Sequence, residues 1–537
     1  MKKRVLLSLV LVLSLVMILV GCTAPTYANY TIPMIDLEKG VVRRGEYTRD
    51  NSGKDTDTLY EFTKEELANP MFSHKTIVAD KDDFGKDYMA HPDSILLREK
   101  KDGTDEYVFG SEILTMFPLS HGKGELKAKI SYDGGMTYAP KDTLRNTPSS
   151  WTKSQETPSL DRLIFNKDNI SDENDLLLLT AGNPRWPGQP EFKCNGFNAS
   201  ISAPSYDSER GAWVEGREWS QFETWFGHGQ DLGAGAIIRE PKGMMKAADP
   251  IVAMSSLTRL KKTVTNPDGT TSKVWDNRWM GLYHDHSFNC YKTILSFAEP
   301  TAEEKAAGYP TYNVCGTPMV MHWSEPVKYF DAYRKVELKS NMCEVECVRS
   351  DAGKGDTLAL LTRSNSKKLY SLVTFSEDEG ETWSEPRELP QALSGERLKA
   401  EWVKDNKGND KLFVTFRSIE RSGDKVGAFA PGSTWMSEGY VAWLGGWDDL
   451  VNGTEGDFRV KIAHTYLDGQ ETESRSANGD TGYCGNVVLA GNKVATCSYG
   501  RFSPTSDPIR GGHTYIAGRV LDITELYNYL DKIAPKA

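Results

Sequence analysis

The chain has 537 residues, of which 39% are hydrophobic and 10% are aromatic, and this composition is typical of a globular protein with a large core. The formal net charge is −11 and no basic block offsets it, which argues against a nucleic-acid partner. Besides Cys22, the chain has seven cysteines, and none of these has the spacing of a zinc site. We expect neither a metal nor a cofactor.

The N-terminal segment has the pattern of a secretion signal. Basic residues occupy positions 2–4, an apolar run follows from Val5 to Val20, and Leu-Val-Gly precedes Cys22. This ending resembles the lipobox of bacterial lipoproteins, which implies removal of residues 1–21 and a lipid anchor on Cys22. The protein would then be extracytoplasmic and held at a bacterial membrane. An uncleaved membrane helix is the alternative, although the apolar run is short for a span.

Residues 22–74 differ from the rest of the chain. They are polar around positions 47–58 and contain a capping-box pattern, Thr63-Lys-Glu-Glu66, which predicts a short helix. We interpret them as a tether and lead-in segment. Residues 75–537 consist of short alternating segments separated by Gly, Asp, Asn and Pro, and this pattern predicts an all-β domain.

One turn sequence occurs twice within this region. The stretches SYDGGMTY (131–138) and SEDEGETW (376–383) share the order Ser-x-Asp-x-Gly-x-Thr-aromatic after an alternating strand, and residues 205–213 look like a degraded copy. In such a hairpin turn we expect Asp378 to accept backbone N–H groups, Gly380 to adopt a positive φ, and Trp383 to pack over the turn.

A second repeat has a longer period. The sequence WSEPV at position 323 recurs as WSEPR at position 383, 60 residues later, a spacing that fits one four-stranded propeller blade with an enlarged loop. We therefore predict a β-propeller. A two-sheet jelly roll is the alternative, but it does not explain the repeats.

These turns, over roughly residues 75–530, resemble those of the sialidase superfamily, whose six-bladed propellers carry Asp-box turns of this kind. The segment CEVECV with LALLTR resembles the sialidase region that supplies a glutamate and an arginine, here Glu344 and Arg363. The strand LFVTFR resembles one that supplies a further arginine, Arg417, and TGYCGNVVL resembles the segment with the catalytic tyrosine, Tyr483.

The resemblance implies a specific chemistry. A sialic acid carries a carboxylate on its anomeric carbon, which repels a carboxylate nucleophile, whereas a tyrosine activated by a glutamate avoids that repulsion. Tyr483 would be the nucleophile and Glu344 its base, while Arg363 and Arg417 would clamp the substrate carboxylate. The structural alternatives are a tyrosine packed in the core and arginines paired with surface acids.

Two positions depart from the sialidase pattern. The first sialidase arginine is replaced by the segment AHPDS, which contains His91 and Asp93, and the loop that carries the acid aspartate reads SHGKG, with His121 and Lys123. We predict that His121 donates the proton to the leaving group, since an imidazole titrates near neutral pH. Asp93 is a further catalytic candidate, and His91 and Lys123 are candidates for substrate binding. Backbone and turn-stabilising roles are the alternatives for both histidines.

Two other groups are candidates for the site. His284 and Asp285 follow the strand pattern WMGLY, so they are expected at a strand end where they could bind substrate, although an ordinary strand and turn would also fit. Trp443 and Trp447 could stack on sugar rings or pack between blades.

A disulfide is predicted between Cys484 and Cys497. Both cysteines flank a hairpin pattern, and a turn centred between Ala490 and Gly491 would place them opposite each other in an oxidising compartment.

The sequence therefore predicts a monomeric, lipid-anchored propeller that acts on a glycan as a sialidase-like exo-glycoside hydrolase and releases a terminal acidic sugar. One alternative is a polysaccharide lyase on a similar fold that acts on uronate-containing glycans. The other is a glycan-binding lipoprotein without catalysis. The sugar and its linkage stay open at this point.

Overall fold

The structure is a computed structural model that describes residues 31–43, 58–101, 103–104, 106–121, 124–140, 144, 146–152, 156–165, 175–182, 197–225, 234–239, 250–252, 255–285, 290–328, 342–364, 370–418, 421–422, 425–426, 439–466 and 481–533. Among these residues no helix is long and apolar enough to span a bilayer.

The described part of the chain is mostly β-strand. The strands of the first half are β1 Met34–Asp36, β2 Val41–Arg43, β3 Thr58–Glu61, β4 Thr76–Ala79, β5 Asp93–Lys101, β6 Val108–Pro118, β7 Leu126–Ser131, β8 Glu156–Leu163, β9 Leu176–Gly182, β10 Phe197–Ser202, β11 Ser205–Asp207, β12 Ala212–Val214, β13 Glu223–Trp225, β14 Ile237–Ile238, β15 Pro250–Val252 and β16 Thr258–Thr265. The later strands are β17 Thr271–Asp285, β18 Cys290–Ala298, β19 Tyr312–Val314, β20 Thr317–Trp323, β21 Val327–Lys328, β22 Met342–Arg349, β23 Leu358–Ser364, β24 Leu372–Ser376, β25 Arg387–Glu388, β26 Gly395–Lys404, β27 Asp410–Ser418, β28 Arg421–Ser422, β29 Lys425–Val426, β30 Tyr440–Gly445, β31 Phe458–Ala463, β32 Cys484–Leu489, β33 Lys493–Gly500 and β34 Tyr515–Asp522.

Helices are few and short. They are α1 Lys64–Leu67, α2 Pro70–Ser73, α3 Lys81–Phe84, α4 Ala302–Ala307, α5 Ser350–Gly353, α6 Trp447–Asn452 and α7 Ile523–Ile533, with 3-10 turns at Ser149–Thr152 and Gln391–Leu393. The predicted capping box is confirmed at α1, because Glu66 N bonds the Thr63 hydroxyl while the Glu66 carboxylate accepts from Thr63 N.

Within the described residues, six sheets have four or more strands. Sheet A contains β5–β7 with β11 and β12, sheet B contains β8–β10 with β13 and β14, sheet C contains β15–β21, sheet D contains β22–β25, sheet E contains β26, β27, β30 and β31 with β1–β3, and sheet F contains β32–β34 with β4. Most neighbouring strands are antiparallel, and each sheet is built largely from consecutive segments of chain, as the repeats predicted.

Apart from the N-terminal strands β1–β4, the first strands of the six sheets are β5, β8, β15, β22, β26 and β32. The sheets meet in a cyclic order, with contacts from β5 to β8, β8 to β15, β22 to β26, β26 to β32, and β32 back to β5, while sheet C contacts β22 through β16 and β17. Two N-terminal pieces join later sheets: β1 runs parallel to β31 at the edge of sheet E, and β4 pairs with β34 in sheet F. The core lies in apolar layers between neighbouring sheets.

The two repeated turns have the same hydrogen bonds. In the later turn, Asp378 accepts from the Thr382 backbone N–H at 2.8 Å, and Ser376 Oγ accepts from Gly380 N at 2.8 Å. The earlier turn, at residues 131–138, repeats both bonds at 2.8 Å. Gly380 has φ +81° and Trp383 is buried against it, as predicted from the sequence.

A Trp-Ser pair at the outer side of three sheets forms another repeated contact. Ser220, Ser324 and Ser384 each accept, through Oγ, the backbone N–H of a residue on the neighbouring strand at 2.9–3.0 Å. The residues at 323 and 383 belong to the repeat seen in the sequence, and Trp219-Ser220 adds a copy that the sequence comparison missed because no Glu-Pro follows it.

The two candidate tryptophans pack against protein. Trp443 is fully buried and donates its Nε1–H to Glu455 O at 2.6 Å, and Trp447 lies over Trp402 with ring centroids 6.4 Å apart. The stacking of sugar rings on Trp443 is therefore excluded by its burial.

The predicted Cys484–Cys497 disulfide is not formed, and both thiols are free. The hairpin turn is centred one half-residue later than predicted, on Gly491, so that Cys484 lies opposite Ser498 and Cys497 lies opposite Gly485. A one-residue offset sends two side chains to opposite faces of a sheet. Cys484 accordingly contacts Thr415, while Cys497 lies near Ser94.

Candidate functional site

A cleft lies where the six sheets meet. Its empty volume is about 590 Å³, including the part open to solvent. Every one of the six sheets contributes to its lining, which consists of residues 92–93, 157–159, 255–256, 282–284, 290, 344–346, 397–399 and 483–484. A pocket built at the meeting point of all sheets is the natural candidate for a binding site.

Unusual backbone conformations mark this end of the sheets. His91, Thr157, Glu344 and Arg397 have φ values of +48°, +47°, +46° and +64°, in a region that residues other than glycine rarely adopt. The last three lie at register shifts in β8, β22 and β26. Such bulges change the direction of a side chain and often occur beside functional sites.

The centre of the site is a contact between two strands far apart in sequence. Tyr483 Oη donates a hydrogen bond to Glu344 Oε1 at 2.9 Å, and Arg363 Nη1 donates to Glu344 Oε2 at 2.7 Å. Burial alone raises the pKa of Glu344, but the guanidinium groups of Arg363 and Arg397 outweigh it and hold that pKa well below its usual range. Glu344 is therefore an ionised acceptor for the tyrosine proton.

Arg397 is the arginine that lines the cleft. Its Cζ lies 4.8 Å from the centre of the Tyr483 ring, its Nε lies 3.6 Å from Glu344 Oε1, and its Nη1 donates to Thr481 O at 2.8 Å. Gly482 has φ +125°, and a Cβ there would lie 3.1 Å from Arg397 Cδ. The missing side chain at 482 therefore allows the guanidinium to lie over the tyrosine.

Arg363 and Arg417, the predicted carboxylate clamp, do not line the cleft. Both contact Glu396: Arg363 Nε lies 3.2 Å from its Oε1, and Arg417 Nη2 contacts its Oε2. An internal carboxylate therefore occupies the position between the two guanidinium groups that the sequence prediction gave to substrate. Neither Glu396 nor Arg397 was singled out from the sequence.

A simple alignment of first strands would have found Arg397. The sequences His91-Pro-Asp, Thr157-Pro-Ser, Glu344-Val-Glu and Arg397-Leu-Lys occupy matching places, each with a left-handed polar residue, then an apolar one, then a polar one. The family resemblance pointed instead to the second strands, where Arg363 and Arg417 lie.

The two predicted histidines do meet beside the tyrosine. The His91 ring is fully buried and lies 4.7 Å from the His121 ring and 4.8 Å from the Tyr483 ring, measured between centroids. Thr157 Oγ1 and His91 Nδ1 are 3.4 Å apart, with the direction of that bond set by the tautomer. His121 also faces Tyr88, with centroids 6.1 Å apart.

Asp93 supports the floor of the cleft. Its carboxylate accepts the backbone N–H groups of Ser94 and Leu160, both at 2.8 Å, and it forms an ion pair with Lys399. Because both oxygens are engaged in these contacts, we assign Asp93 a supporting position and look to other groups for the catalytic proton.

Further acids surround Lys399, which lines the cleft. Burial raises the pKa of Glu346 to about 8, and burial likewise raises the pKa of Glu401 and of Asp161 to about 7. Burial lowers the pKa of Lys399, but the charges of Asp93 and Glu346 outweigh this effect and raise it. Lys399 therefore interacts with several carboxyl groups at once. The raised pKa values of Glu346, Glu401 and Asp161 keep part of this acid cluster protonated near neutral pH.

His284 lies at the end of β17, lines the cleft and is 2% exposed. Asp285 ends the same strand, but its side chain lies outside the described residues, as do Lys123 and Cys22. Among the described residues, no three His, Cys, Asp or Glu side chains are grouped so that they could hold a metal ion.

Comparison with known protein families and with curated proteins finds no match for this sequence. Solved structures with a similar arrangement include a protein of unknown function from Dyadobacter fermentans, at 13% identity and a TM-score of 0.43, where the match covers 84% of this chain and 98% of that one. Trypanosoma rangeli sialidase is similar at 10% identity and a TM-score of 0.41, over 86% of this chain and 59% of that chain. A Hadza microbial sialidase is similar at 13% identity and a TM-score of 0.38, over 81% and 66%. At these sequence identities and TM-scores the similarity does not indicate an activity, so the function is inferred from the geometry of the site.

Proposed function

We propose that the six sheets are the blades of a six-bladed β-propeller of the sialidase type. Two features support this arrangement: the cyclic order of contacts between the sheets, and the pairing of β4, from the start of the domain, with β34 near its end. Completion of the last blade by an early strand would hold the two ends of the domain together.

We propose further that the protein is a sialidase-like glycoside hydrolase that releases a terminal acidic sugar from a glycan. The hydrogen bond from Tyr483 Oη to Glu344 Oε1 is the observation that carries this proposal. It joins a potential nucleophile to an ionised acceptor inside a cleft, which is the pairing that activates a tyrosine. Arg397 beside it offers a planar fork to a carboxylate.

The reaction follows from these positions. Tyr483 Oη attacks the anomeric carbon and transfers its proton to Glu344, while the bond from that carbon to the leaving oxygen breaks. The leaving oxygen takes a proton from an imidazolium, for which His121 and His284 are the candidates. Water then attacks the tyrosyl glycoside and gives a proton to the imidazole, the tyrosinate leaves and takes its proton back from Glu344, and the anomeric configuration is retained overall.

A polysaccharide lyase is the second candidate, favoured by the contact between the His91 and Tyr483 rings. A histidine and a tyrosine side by side could remove and return protons at a uronate whose carboxylate meets Arg397. Elimination leaves an unsaturated uronide, whereas hydrolysis leaves two saturated sugars.

The experiment is a screen of sialosides, uronides and sulfated glycans with the purified protein. Released sugars are identified by mass spectrometry, and unsaturated products by their ultraviolet absorbance. A free acidic sugar of retained configuration supports the hydrolase, and an unsaturated uronide supports the lyase. Binding without any product would overturn both enzymatic proposals and favour a glycan-binding lipoprotein.

We also propose that the mature protein is anchored outside the cytoplasm by a lipid on Cys22. The basic segment, apolar run and Leu-Val-Gly-Cys ending support it. Intact-mass analysis of membrane-extracted protein tests the proposal, which fails if Cys22 is unmodified and still joined to residues 1–21.

A further inference from the structure

Glu396 occupies an unusual position between two arginines. It is 4% exposed and lies in β26, next in sequence to the cleft-lining Arg397. Its two carboxylate oxygens contact different guanidinium groups, Oε1 that of Arg363 and Oε2 that of Arg417. These arginines end the second strands of sheets D and E, so Glu396 links the two sheets just behind the cleft wall.

The contacts form a continuous chain of charges. Arg363 bridges Glu396 and Glu344, and Glu344 in turn accepts from Tyr483. With Arg397 included, the group contains three guanidinium groups and two carboxylates.

The three arginines differ in their access to the cleft. Arg363 contacts Glu344 at 2.7 Å and Arg417 contacts Glu396, and neither of them lines the cleft. Arg397 also pairs with Glu344, at 3.6 Å, but it lines the cleft. A substrate carboxylate therefore meets Arg397 first.

Resting on the function proposed above, we propose that Glu396 is a specificity-determining residue, which neutralises Arg363 and Arg417 and thereby leaves Arg397 as the arginine that binds the substrate carboxylate. A buried ion pair with a purely structural role would affect folding but not the choice between charged and uncharged ligands. Ligand preference is therefore the informative measurement.

The test compares the wild-type protein with Glu396→Gln, which retains the shape and one acceptor oxygen while it removes the negative charge. Affinities for sialic acid and for glucuronate are measured by calorimetry, each against its uncharged methyl ester. We expect the preference for the acid over the ester to increase on the order of tenfold, because one more positive charge acts on the ligand at short range. The affinity for the esters should stay unchanged.

Two further variants separate charge from structure. Glu396→Gln combined with Arg417→Gln removes one charge of each sign, so the acid-to-ester preference should return close to that of the wild-type protein. Glu223→Gln changes another buried pair, in which Arg239 Nη1 donates to Glu223 Oε2 at 2.6 Å outside the cleft lining, and should leave the preference unaltered. Melting curves confirm that each variant is folded.

The outcomes are distinguishable. If the wild-type protein prefers the acids but neither Glu396 variant changes that preference, the role of Glu396 is overturned and the proposed function stands. If the wild-type protein shows no preference for either acid over its ester, the acidic-sugar function is overturned, and the specificity role with it. If Glu396→Gln does not fold, the double variant decides: a preference far from the wild-type value contradicts the proposal.

Discussion

The two ends of the sheets both use left-handed backbone, but with different residues. Each repeated turn has this conformation at a glycine of its motif, Gly135 or Gly380, at φ +89° and +81°, and the later turn also has it at Glu379, at φ +62°. At the cleft end it is adopted by Thr157, Glu344 and Arg397, at a cost of roughly 1–2 kcal/mol of strain each. The cleft end therefore places the left-handed conformation on residues whose side chains line the candidate site.

The carboxyl groups at the turn end and at the cleft end also differ in their pKa shifts. In the turn, burial raises the pKa of Asp378, but hydrogen bonds from Thr382 and Ser376 outweigh this effect and lower it. At the cleft, burial dominates at Glu346 and raises its pKa to about 8. The carboxylate of the turn is satisfied by residues of the same turn, whereas Glu346 contacts Ser256 and Ala400, which are distant in sequence.

The largest expected effect tests the cleft end. Tyr483→Phe removes the attacking oxygen and keeps the ring, so turnover of a substrate from the glycan screen should fall on the order of 10³-fold or more while the protein stays folded. The matched control is Tyr515→Phe in the same sheet, which loses a hydroxyl bonded to Ser503 away from the cleft. Near-normal turnover in a folded Tyr483→Phe protein would eliminate the tyrosine mechanism.

The next effect concerns affinity. Arg397→Lys retains the positive charge but loses the planar guanidinium, which can donate two parallel hydrogen bonds to a carboxylate. Binding of an acidic sugar should therefore weaken by about 1–3 kcal/mol. Arg363→Lys should change affinity less, because Arg363 faces Glu344 and Glu396 instead of the cleft. Titration calorimetry measures both. The reverse ranking would restore the clamp predicted from the sequence.

A third prediction uses pH. Because Glu346 has a higher pKa folded than unfolded, the unfolded state releases its proton first, and stability decreases as pH rises from about 4.5 to about 8. Glu346→Gln should make this decline shallower, by at most about 1.4 kcal/mol per pH unit. Asp378→Asn should leave this decline unchanged and act at acid pH instead, because the lowered pKa of Asp378 means that its stabilising contribution in the wild-type protein is lost as pH falls below the ordinary value of 3.8. Denaturant titrations from about pH 2 to about pH 8 decide, and identical pH profiles in the two variants would refute the contrast.

A fourth prediction tests the turn end. Gly380→Ala forces a positive φ on alanine and places Cβ 2.8 Å from Met280 Sδ, so the free energy of unfolding should fall by roughly 1–3 kcal/mol. Gly408→Ala is the control, since φ is +86° there but no atom lies within 4 Å, and only the backbone cost of about 1 kcal/mol should appear. Equal losses would mean that packing at the turn contributes nothing.

The smallest expected effect tests the strain itself. Thr157→Gly relieves the left-handed conformation but removes a buried side chain whose Oγ1 lies 3.4 Å from His91 Nδ1, so the free energy of unfolding should change by no more than about 1 kcal/mol. Thr180→Gly, on the neighbouring strand β9 without a positive φ, removes a buried threonine with no strain to relieve and should lower it by more. Chemical denaturation measures both, and equal losses at the two positions would count against strain at Thr157.

Part of the candidate site was predictable because short motifs carry it. Glu344 and Tyr483 lie in segments that resemble the sialidase pattern, and the structure brings them to 2.9 Å. The clamp was not predictable in the same way, since the pairing of Arg363 and Arg417 with Glu396 depends on two sheets that meet behind the cleft. The Cys484–Cys497 prediction was wrong about the strand register. Cys484 pairs with Ser498, which centres the turn on Gly491 and places the two cysteines on opposite faces of the sheet.

The sequence by itself determined the local elements: the alternating strands, the Ser-x-Asp-x-Gly-x-Thr turns, the α1 capping box and the repeat of about 60 residues, because each depends on interactions between residues close along the chain. Only the tertiary structure decided which arginine lines the cleft, which acids interact with Lys399, and that the His91 ring lies between the rings of Tyr483 and His121. Those relations join residues up to several hundred positions apart, and their energies depend on burial and charge in the assembled centre, which no local pattern encodes.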